Sequence, residues 1–273
     1  MKDILVHVRD FEKRTPALQY GSRLAMQTGA SLSGLYAFPS PVYLAPAYEP
    51  ELMAVLMDNT RELERMALAA RDAFLGWVAG DGVKQAEWLV AEGDAADILA
   101  QAAARFDFIV LEHPAEEHRD SPSDLPALVL KAGAPCLVMP RAIPPPETIV
   151  RVAVAWNGSP EAMRAVHAAL PLLEGKSVLL LKGPEREAWQ NVFWKTSFDI
   201  REYLERHGVN VWPRAIDVDD DEAGAELLKH AMQFEADLLV MGAYGRSRFS
   251  EWMLGGATRH VLARAHLPVL LRH

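Results

Sequence analysis

Residues 237–258 read DLLVMGAYGRSRFSEWMLGGAT, and this stretch joins a strand pattern to a glycine-rich loop and the start of a helix. An apolar run ends in Gly242, Gly245 follows after two residues, and Gly255–Gly256 follows after nine more. Glycine allows a backbone to approach a ligand closely. Free N–H groups of such a loop and of the helix behind it attract anions. The stretch therefore predicts a phosphate-binding corner of an α/β fold, but it indicates no reaction.

The composition restricts the class of protein around this loop. The chain has 273 residues, of which 50% are hydrophobic, and a formal net charge of −9. An acidic chain without dense Lys/Arg runs disfavours general nucleic-acid binding, so no nucleic-acid partner is expected. Cys136 is the single cysteine, which is typical of a reducing compartment. The chain begins with a strand pattern and has no apolar run near the roughly 20 residues of a membrane span, so we expect a cytoplasmic protein without a membrane partner.

An internal repeat is the strongest sign of domain organisation. Residues 4–8 (ILVHV) resemble residues 152–156 (VAVAW), residues 106–111 (FDFIVL) resemble residues 236–241 (ADLLVM), and residues 134–139 (APCLVM) resemble residues 267–271 (LPVLL). Three consecutive prolines, Pro144 to Pro146, separate the copies and favour an extended linker. The sequence predicts a first domain over residues 1–140, a linker over 141–148 and a second domain over 149–273.

Within each copy, short apolar strands alternate with amphipathic helices. Strands are predicted near Ile4–Val8, Ser31–Ala37, Lys84–Val90, Phe108–Leu111 and Cys136–Met139, and near Val152–Trp156, Ser177–Lys182, Asn210–Arg214, Leu238–Met241 and Val269–Leu271. Helices of the first copy are predicted near Thr15–Gln27, Leu52–Val78, Ala95–Arg105 and Leu125–Ala132, with Asp94 as the cap of the third. The alternation predicts two tandem Rossmann-like α/β domains, each a five-stranded parallel sheet with helices on both faces.

The repeat, the strand–helix order and the spacing Gly242-x2-Gly245-x9-Gly255 together resemble the universal stress protein family, in particular its tandem two-domain members. The resemblance covers essentially the whole chain and is specific in the second copy. It implies that the protein takes part in a stress response. Some members of the family bind ATP on this loop, whereas others lack the loop and bind no nucleotide.

The resemblance carries a nucleotide site to the second copy. It places Met241, Gly242, Gly245 and Gly255 in the phosphate loop. Arg246 and Arg248 lie in the same loop, where they either meet phosphate charge or are simply exposed, and their position favours the phosphate role. An Asp that contacts the base in the family is replaced by Asn157, which keeps a carbonyl acceptor and gains a donor. A residue on the second strand that flanks adenine in the family corresponds to Leu180 or Leu181. The implied ligand is ATP or AMP, with no prediction for a metal and no catalytic residue.

Two departures weaken this prediction. Gly256 stands where the family has a phosphate-binding Ser or Thr, and losing that hydrogen bond costs roughly 1.5–3 kcal/mol, or about 10- to 100-fold in affinity. Thr258 either supplies a replacement hydroxyl or only begins the helix, and the sequence leaves both open. In the first copy, Arg9 replaces the base-contacting Asp and Glu112-His113-Pro114 replaces the glycine loop, so we expect that copy to have lost nucleotide binding.

The sequence allows more than one mode of association and more than one function. The final strands, Cys136–Met139 and Val269–Leu271, are expected to be sheet edges that pair within the chain as a pseudo-dimer, and a homodimer of the whole chain is also considered. The first functional hypothesis is a stress-response protein regulated by ATP or AMP. The second is a nucleotide-free scaffold that acts through protein–protein interaction. A slow ATP hydrolase is a third hypothesis, but no recognisable general base or metal-ligand set supports it.

Overall fold

The computed structural model describes residues 1–42, 49–113, 125–140, 146–184, 198–218, 220–243 and 256–273. Contacts divide the chain into two compact units. The first contains Met1–Glu112 with Lys131–Ala134, and the second contains His113–Leu130 with Pro135–His273. Within the described residues, no helix is both long and apolar enough to cross a membrane.

The first unit is a parallel sheet covered by helices. Its elements are β1 (Asp3–His7), α1 (Pro16–Thr28), β2 (Ser31–Phe38), α2 (Pro50–Ala69), α3 (Arg71–Gly80), β3 (Ala86–Glu92), α4 (Ala95–Ala103) and β4 (Phe108–Glu112). The strands pair in parallel in the order β3-β2-β1-β4. A helix follows each of β1, β2 and β3, as the alternating pattern predicted.

The second unit repeats this order. Its elements are β5 (Cys136–Met139), β6 (Arg151–Trp156), α6 (Pro160–Leu173), β7 (Ser177–Lys182), α7 (Ile200–Arg206), β8 (Asn210–Ala215), α8 (Asp220–Gln233), β9 (Leu238–Gly242), α9 (Gly256–Arg264) and β10 (Val269–Arg272). The short helix α5 (Leu125–Lys131) precedes β5. Strands β8-β7-β6-β9-β10 form a parallel sheet in Rossmann-like order. The α/β class and the strand order confirm the predicted fold.

The final strands of the two sequence copies pair with each other. β10 pairs antiparallel with β5, with Leu270 opposite Leu137. This pairing groups β5 with the second unit, although the repeat assigns its sequence to the first copy. The predicted intrachain pairing of these strands is therefore present as a ladder, whereas a homodimer and the domain limits 1–140 and 149–273 stay predictions. Most of the 141–148 linker lies outside the described residues.

The same polar contacts recur in both copies and explain part of the repeat. Asp107, just before β4, accepts hydrogen bonds from the backbone N–H groups of Lys2 and Asp3 at 2.5 and 3.3 Å. Asp237, just before β9, accepts the corresponding bonds from Val150 and Arg151 at 2.8 and 2.9 Å. Each aspartate thus fixes the start of the neighbouring strand, because its carboxylate satisfies two backbone donors that no strand partner reaches.

Helix caps are repeated in the same way. Thr15 caps α1 and Ser159 caps α6, each through a side-chain oxygen that accepts an N–H three residues further on, and proline follows each cap. The predicted cap of α4 is confirmed, since Asp94 accepts the N–H of Asp97 at 3.0 Å.

One prediction was wrong. The stretch Leu52–Val78 is not a single helix, because α2 ends at Ala69 and α3 begins at Arg71. The apolar residues at three- and four-residue spacing in this stretch are also only partly buried, with Ala67, Phe74 and Val78 in the core and Met66 38% exposed. A long-range contact accompanies the break: the indole N–H of Trp88 donates to the carbonyl of Ala67 at 2.8 Å, which satisfies one of the carbonyls that the end of α2 leaves without a partner in the helix. No local sequence signal marks this break.

The edge strand β8 is poorly covered. Trp212 is 61% exposed at the centre of this strand. Backbone N–H groups of Asn210 and Ile216 donate towards β7, so the intervening odd-numbered residues present their nitrogens to the free edge. Pro213 occupies one of these outward positions and has no N–H to offer. The proline therefore weakens β8 as a template for another strand.

Candidate functional site

The candidate site lies in the second unit, where the strand order reverses. β6 lies between β7 on one side and β9 on the other, and the chain leaves β6 in one direction and returns on the opposite side. In doubly wound sheets, ligands bind at the carboxyl ends of the strands at such a reversal. Trp156 ends β6 and Gly242 ends β9, so Asn157 and the predicted glycine loop both leave this crevice.

Gly242 is required by packing at the crevice. A Cβ atom placed on Gly242 would lie 2.6 Å from the backbone nitrogen of Ala162 and 2.7 Å from the carbonyl carbon of Glu161. Both atoms belong to the first turn of α6, so only glycine allows the end of β9 to approach that helix. The close packing accounts for this glycine whether or not a ligand binds.

Asn157 has one half of its amide already engaged. Its side-chain oxygen accepts the backbone N–H of Ser159 at 3.2 Å, in the turn that precedes α6. The side chain is half-buried. Among the described residues the amide nitrogen has no partner, so this group, which can only donate, is the one that Asn157 offers to a ligand at the end of β6.

Leu180 and Met241 are core residues. Leu180 is 0% exposed and lies opposite Val154 in β6, two residues before the end of β7. Met241 is 5% exposed. At the carboxyl end of β7, Lys182 lies opposite Trp156 and stands closer to the crevice than Leu180 does. The sequence reasoning missed Lys182, although its place at the end of the second strand of the repeat was readable from the pattern.

Helix α9 starts at the same edge of the sheet. β10 runs parallel to β9, so the chain must travel back along the sheet between the two strands. Helix α9 makes this return, and we therefore infer that it begins near the carboxyl end of β9. The helix begins at Gly256, its first turn contains no acidic residue, and Thr258 is buried at 4% exposure. The first N–H groups of a helix have no partner within the helix. The N-terminus of α9 is therefore suited to an anion.

A carboxylate stands at the other helix start. The side chain of Glu161 is 12% exposed in the first turn of α6 and pairs with Arg164 at 3.3 Å. Its backbone touches Gly242, as described above. A polyphosphate placed at α6 would meet this negative charge, whereas α9 has none in its first turn. The electrostatics of the crevice consequently favour α9 as the phosphate end.

The start of the loop is held by the last residues of the chain. The N–H of Ala243 donates to the carbonyl of Arg272 at 2.9 Å, and the ring nitrogen Nδ1 of His273 lies 3.2 Å from the carbonyl oxygen of Ala243. Burial lowers the pKa of Arg272. The predicted site residues Gly245, Arg246 and Gly255 lie outside the described residues.

The corresponding crevice of the first unit is built differently. Glu112 ends β4 where Gly242 ends β9, and this glutamate is 7% exposed. The loop after β1 is longer than the loop after β6, and its Phe11 packs edge-on against Tyr36 with ring centroids 4.8 Å apart. Burial, together with the charge of Asp10, raises the pKa of Tyr36. The end of β1 and β2 is thus occupied by the protein's own aromatic rings.

His7 is a buried titratable group at the carboxyl end of β1. It is 3% exposed, and within the described residues its Nδ1 atom has no hydrogen-bond partner. Burial and the nearby charge of Arg9 lower its pKa to about 4. The imidazole is therefore neutral near pH 7. The described residues also contain no group of three or more His, Cys, Asp or Glu side chains that could hold a metal ion.

Concave surface exists elsewhere in the second unit, but it has no built site. A concavity of about 600 Å³ lies at the opposite end of the strands and is lined by Leu170, Pro171, Glu174, Arg206, His207 and Gly208. Apart from the half-buried Leu170, these residues are exposed. The surface is wide open and offers no convergent buried polar groups, so it does not compete with the crevice as a ligand site.

Comparison with known proteins shows a family match for the second sequence copy. Residues 148–273 match the universal stress protein family. A universal stress protein of Synechocystis sp. is 25% identical over 200 residues, which is 69% of this chain and 66% of the relative, so the chain spans just under two thirds of that relative's length. A universal stress protein from Archaeoglobus fulgidus has the same fold, with a TM-score of 0.70 at 16% identity over 99% of this chain and 95% of its own.

A protein of unknown function from Pseudomonas aeruginosa PAO1 also shares the fold, with a TM-score of 0.61 at 17% identity over 99% of this chain and 92% of its own. The family match covers the second sequence copy, and the shared fold extends over both copies. The second sequence copy thus matches the universal stress protein family, and two tandem copies share the fold of the solved structures, as the repeat and the glycine spacing predicted.

Proposed function

We propose that the protein is a stress-response protein whose second unit binds an adenine nucleotide, ATP or AMP, as a regulatory ligand in the cytoplasm. The family supports the general role in stress response. The nucleotide and the cytoplasmic location are our inference. In this proposal the ligand changes conformation or partner choice, and the protein acts by binding and not by catalysis.

The observation that carries the proposal is that two groups suited to a nucleotide follow neighbouring strands of one sheet. Within the described residues, the amide nitrogen of Asn157 has no partner at the end of β6, and α9, which follows β9 in the chain, starts with Gly256 and contains the buried Thr258. The strand ends are neighbours, because β6 pairs directly with β9. A base at Asn157 with its phosphates towards α9 would meet a donor at one end and a positive helix terminus at the other.

Calorimetry with the full chain tests the proposal. Titration with ATP and AMP is expected to release or absorb heat, and Gly245→Trp is expected to abolish that heat by filling the loop. Gly80→Trp is a matched control, since Gly80 is exposed at the end of α3 and a Cβ there has no neighbour within 4 Å. Absence of heat from folded wild-type protein at millimolar nucleotide would refute nucleotide binding.

Protein purified without added nucleotide gives an independent measurement. Mass spectrometry of the supernatant after denaturation is expected to show ATP or AMP at a substantial fraction of the protein concentration. The Gly245→Trp variant, prepared in the same way, is expected to show none.

The second candidate function is a nucleotide-free scaffold that acts through protein–protein interaction. Gly256 in place of the family's hydroxyl residue favours it, as does Glu112 in place of glycine in the first unit. This candidate requires that the Gly245→Trp variant complement a deletion strain under stress as well as the wild type does. Loss of complementation together with loss of ATP heat would instead support the regulatory ligand.

The pairing of β5 with β10 leaves open whether whole chains associate. Sedimentation with and without ATP would measure a homodimer and its dependence on ligand. With a net charge of −9, we propose no nucleic-acid partner.

A further inference from the structure

Gly224 lies in the interior of helix α8, where glycine is a poor choice. Glycine is the weakest helix former after proline, because it loses the most backbone freedom on folding. Gly224 is not among the glycines of this chain with positive φ, so no special backbone conformation demands it. A packing reason is therefore needed for this glycine.

The neighbouring helix supplies that reason. A Cβ atom on Gly224 would lie 2.7 Å from Cβ of His260, 2.9 Å from the carbonyl oxygen of Ala257 and 3.1 Å from Cγ of His260. Favourable carbon contacts begin at about 3.5 Å. The carbonyl of Ala257 is a backbone atom, so it cannot rotate away as a side chain could. The present distance between α8 and α9 is therefore possible only without a side chain at position 224.

The contact falls on the part of α9 that matters for an anion. Ala257 stands between Gly256 and Thr258 in the first turn of α9. The N–H groups of this turn are the donors that have no partner within the helix. The contact with α8 limits how closely the first turn of α9 approaches α8, and it thereby helps to fix the position of these N–H groups.

We propose that Gly224 is a positioning residue that sets the N-terminal turn of α9, and through it the affinity for the phosphate end of the ligand. This inference rests on the proposed nucleotide binding. Relieving contacts of 2.7 and 2.9 Å to ordinary distances requires a shift of roughly 0.5–1 Å. Such a shift lengthens an N–H···O bond of about 2.9 Å beyond the useful range. A methyl group at position 224 should thus weaken phosphate binding without touching the ligand.

The test compares Gly224→Ala with wild type, using ATP and adenosine as probes in calorimetry. Adenosine lacks phosphate, so its affinity reports the base end alone. We expect the affinity for ATP to fall about tenfold, as for the loss of one charge-assisted hydrogen bond. The affinity for adenosine should change less than about twofold. The ratio of the two affinities separates a positioning role from general damage to the fold.

Gly76→Ala is the matched control. Gly76 also lies inside a helix, α3, with no positive φ, and a Cβ there has no neighbour within 4 Å. This variant should leave both affinities unchanged. If ATP binds wild type and Gly224→Ala lowers neither affinity, or lowers both equally, the positioning role is overturned while nucleotide binding stands. If wild type binds neither probe, the proposed function itself fails.

Hydrogen exchange of the wild-type protein covers the case in which Gly224→Ala does not fold. ATP should slow exchange in residues 256–264 and also in residues 222–228 of α8, because order in one helix is transmitted through the close contact. Adenosine should not protect residues 222–228. Protection by ATP that is confined to α9 would contradict the coupling between the two helices.

Discussion

Lowering the pH should destabilise the first unit through His7. The folded state holds this imidazole neutral, with a pKa of about 4 in place of 6.5. Unfolding exposes the ring, which then binds a proton at any pH below 6.5. The free energy of unfolding of the first unit is therefore unaffected by His7 above pH 6.5, and it decreases as the pH falls from 6.5 towards 4. Each pH unit in this window removes about 1.4 kcal/mol.

The magnitude follows from these two pKa values. By pH 5 the loss should be about 2 kcal/mol, and near pH 4 it should approach about 3 kcal/mol. His7 is 3% exposed, so solvent does not screen the effect appreciably. Such a loss is a large fraction of the stability of an ordinary domain.

Hydrogen exchange of β1 measures this loss locally, because a chain of two units need not unfold in one step. The difference between wild type and His7→Leu isolates the one titration from those of the other histidines. The opening free energy of β1 in wild type should fall with acid relative to His7→Leu. Strand β6 is an internal control, because it corresponds to β1 in the repeat and carries Ala155, which does not titrate, at the position equivalent to His7. A difference that stays flat from pH 7 to pH 4.5 would refute the reasoning.

Four further outcomes are expected. Burial raises the pKa of the Cys136 thiol to about 12, so a thiol reagent at pH 8 should label the folded protein negligibly and the denatured protein fully. Asp237→Ala should destabilise the second unit by about 1–3 kcal/mol in urea unfolding, since two backbone N–H groups lose their acceptor. An unchanged urea midpoint would show that these two hydrogen bonds do not stabilise the start of β6. Gly242→Ala should cost about 1–3 kcal/mol by the same measurement, while Gly80→Ala should be neutral or stabilising. Asn157→Asp should lower the affinity for ATP and for adenosine about tenfold in calorimetry, because the carboxylate keeps the acceptor for Ser159 but removes the amide donor proposed to meet the base; unchanged affinities would count against this base contact.

Much of the fold was readable from local patterns. Short apolar segments with alternating helices predicted the strands and their parallel order, because a strand covered on both faces must be apolar throughout. The cap at Asp94 was readable for a similar reason, since its hydrogen bond reaches only three residues. The repeated aspartates, Asp107 and Asp237, were visible as a pattern, but their role as clamps required the structure.

The candidate site was predictable to a lesser extent. The sequence placed Asn157 and Gly242 at strand ends, and the structure brings both to one edge of the sheet. It did not indicate that Asn157 uses its oxygen within the protein, or that Gly242 touches α6. Those facts depend on neighbours that are several or many residues away in the chain. The contact between Gly224 and the first turn of α9 belongs to the same class.

The sequence by itself determined the α/β class, the duplication and the positions of most strands, because these depend on hydrophobic periodicity and local hydrogen bonds. Tertiary structure alone decided where α2 ends. Trp88 of β3 donates to the carbonyl of Ala67, and Phe74 of α3 packs on Trp88 with ring centroids 5.0 Å apart. Gly34 of β2 leaves space for the ring of Phe74, since a Cβ atom on Gly34 would lie 2.5 Å from that ring. A helical pattern cannot reveal such a break, because the carbonyl that ends the helix is satisfied by a donor 21 residues away.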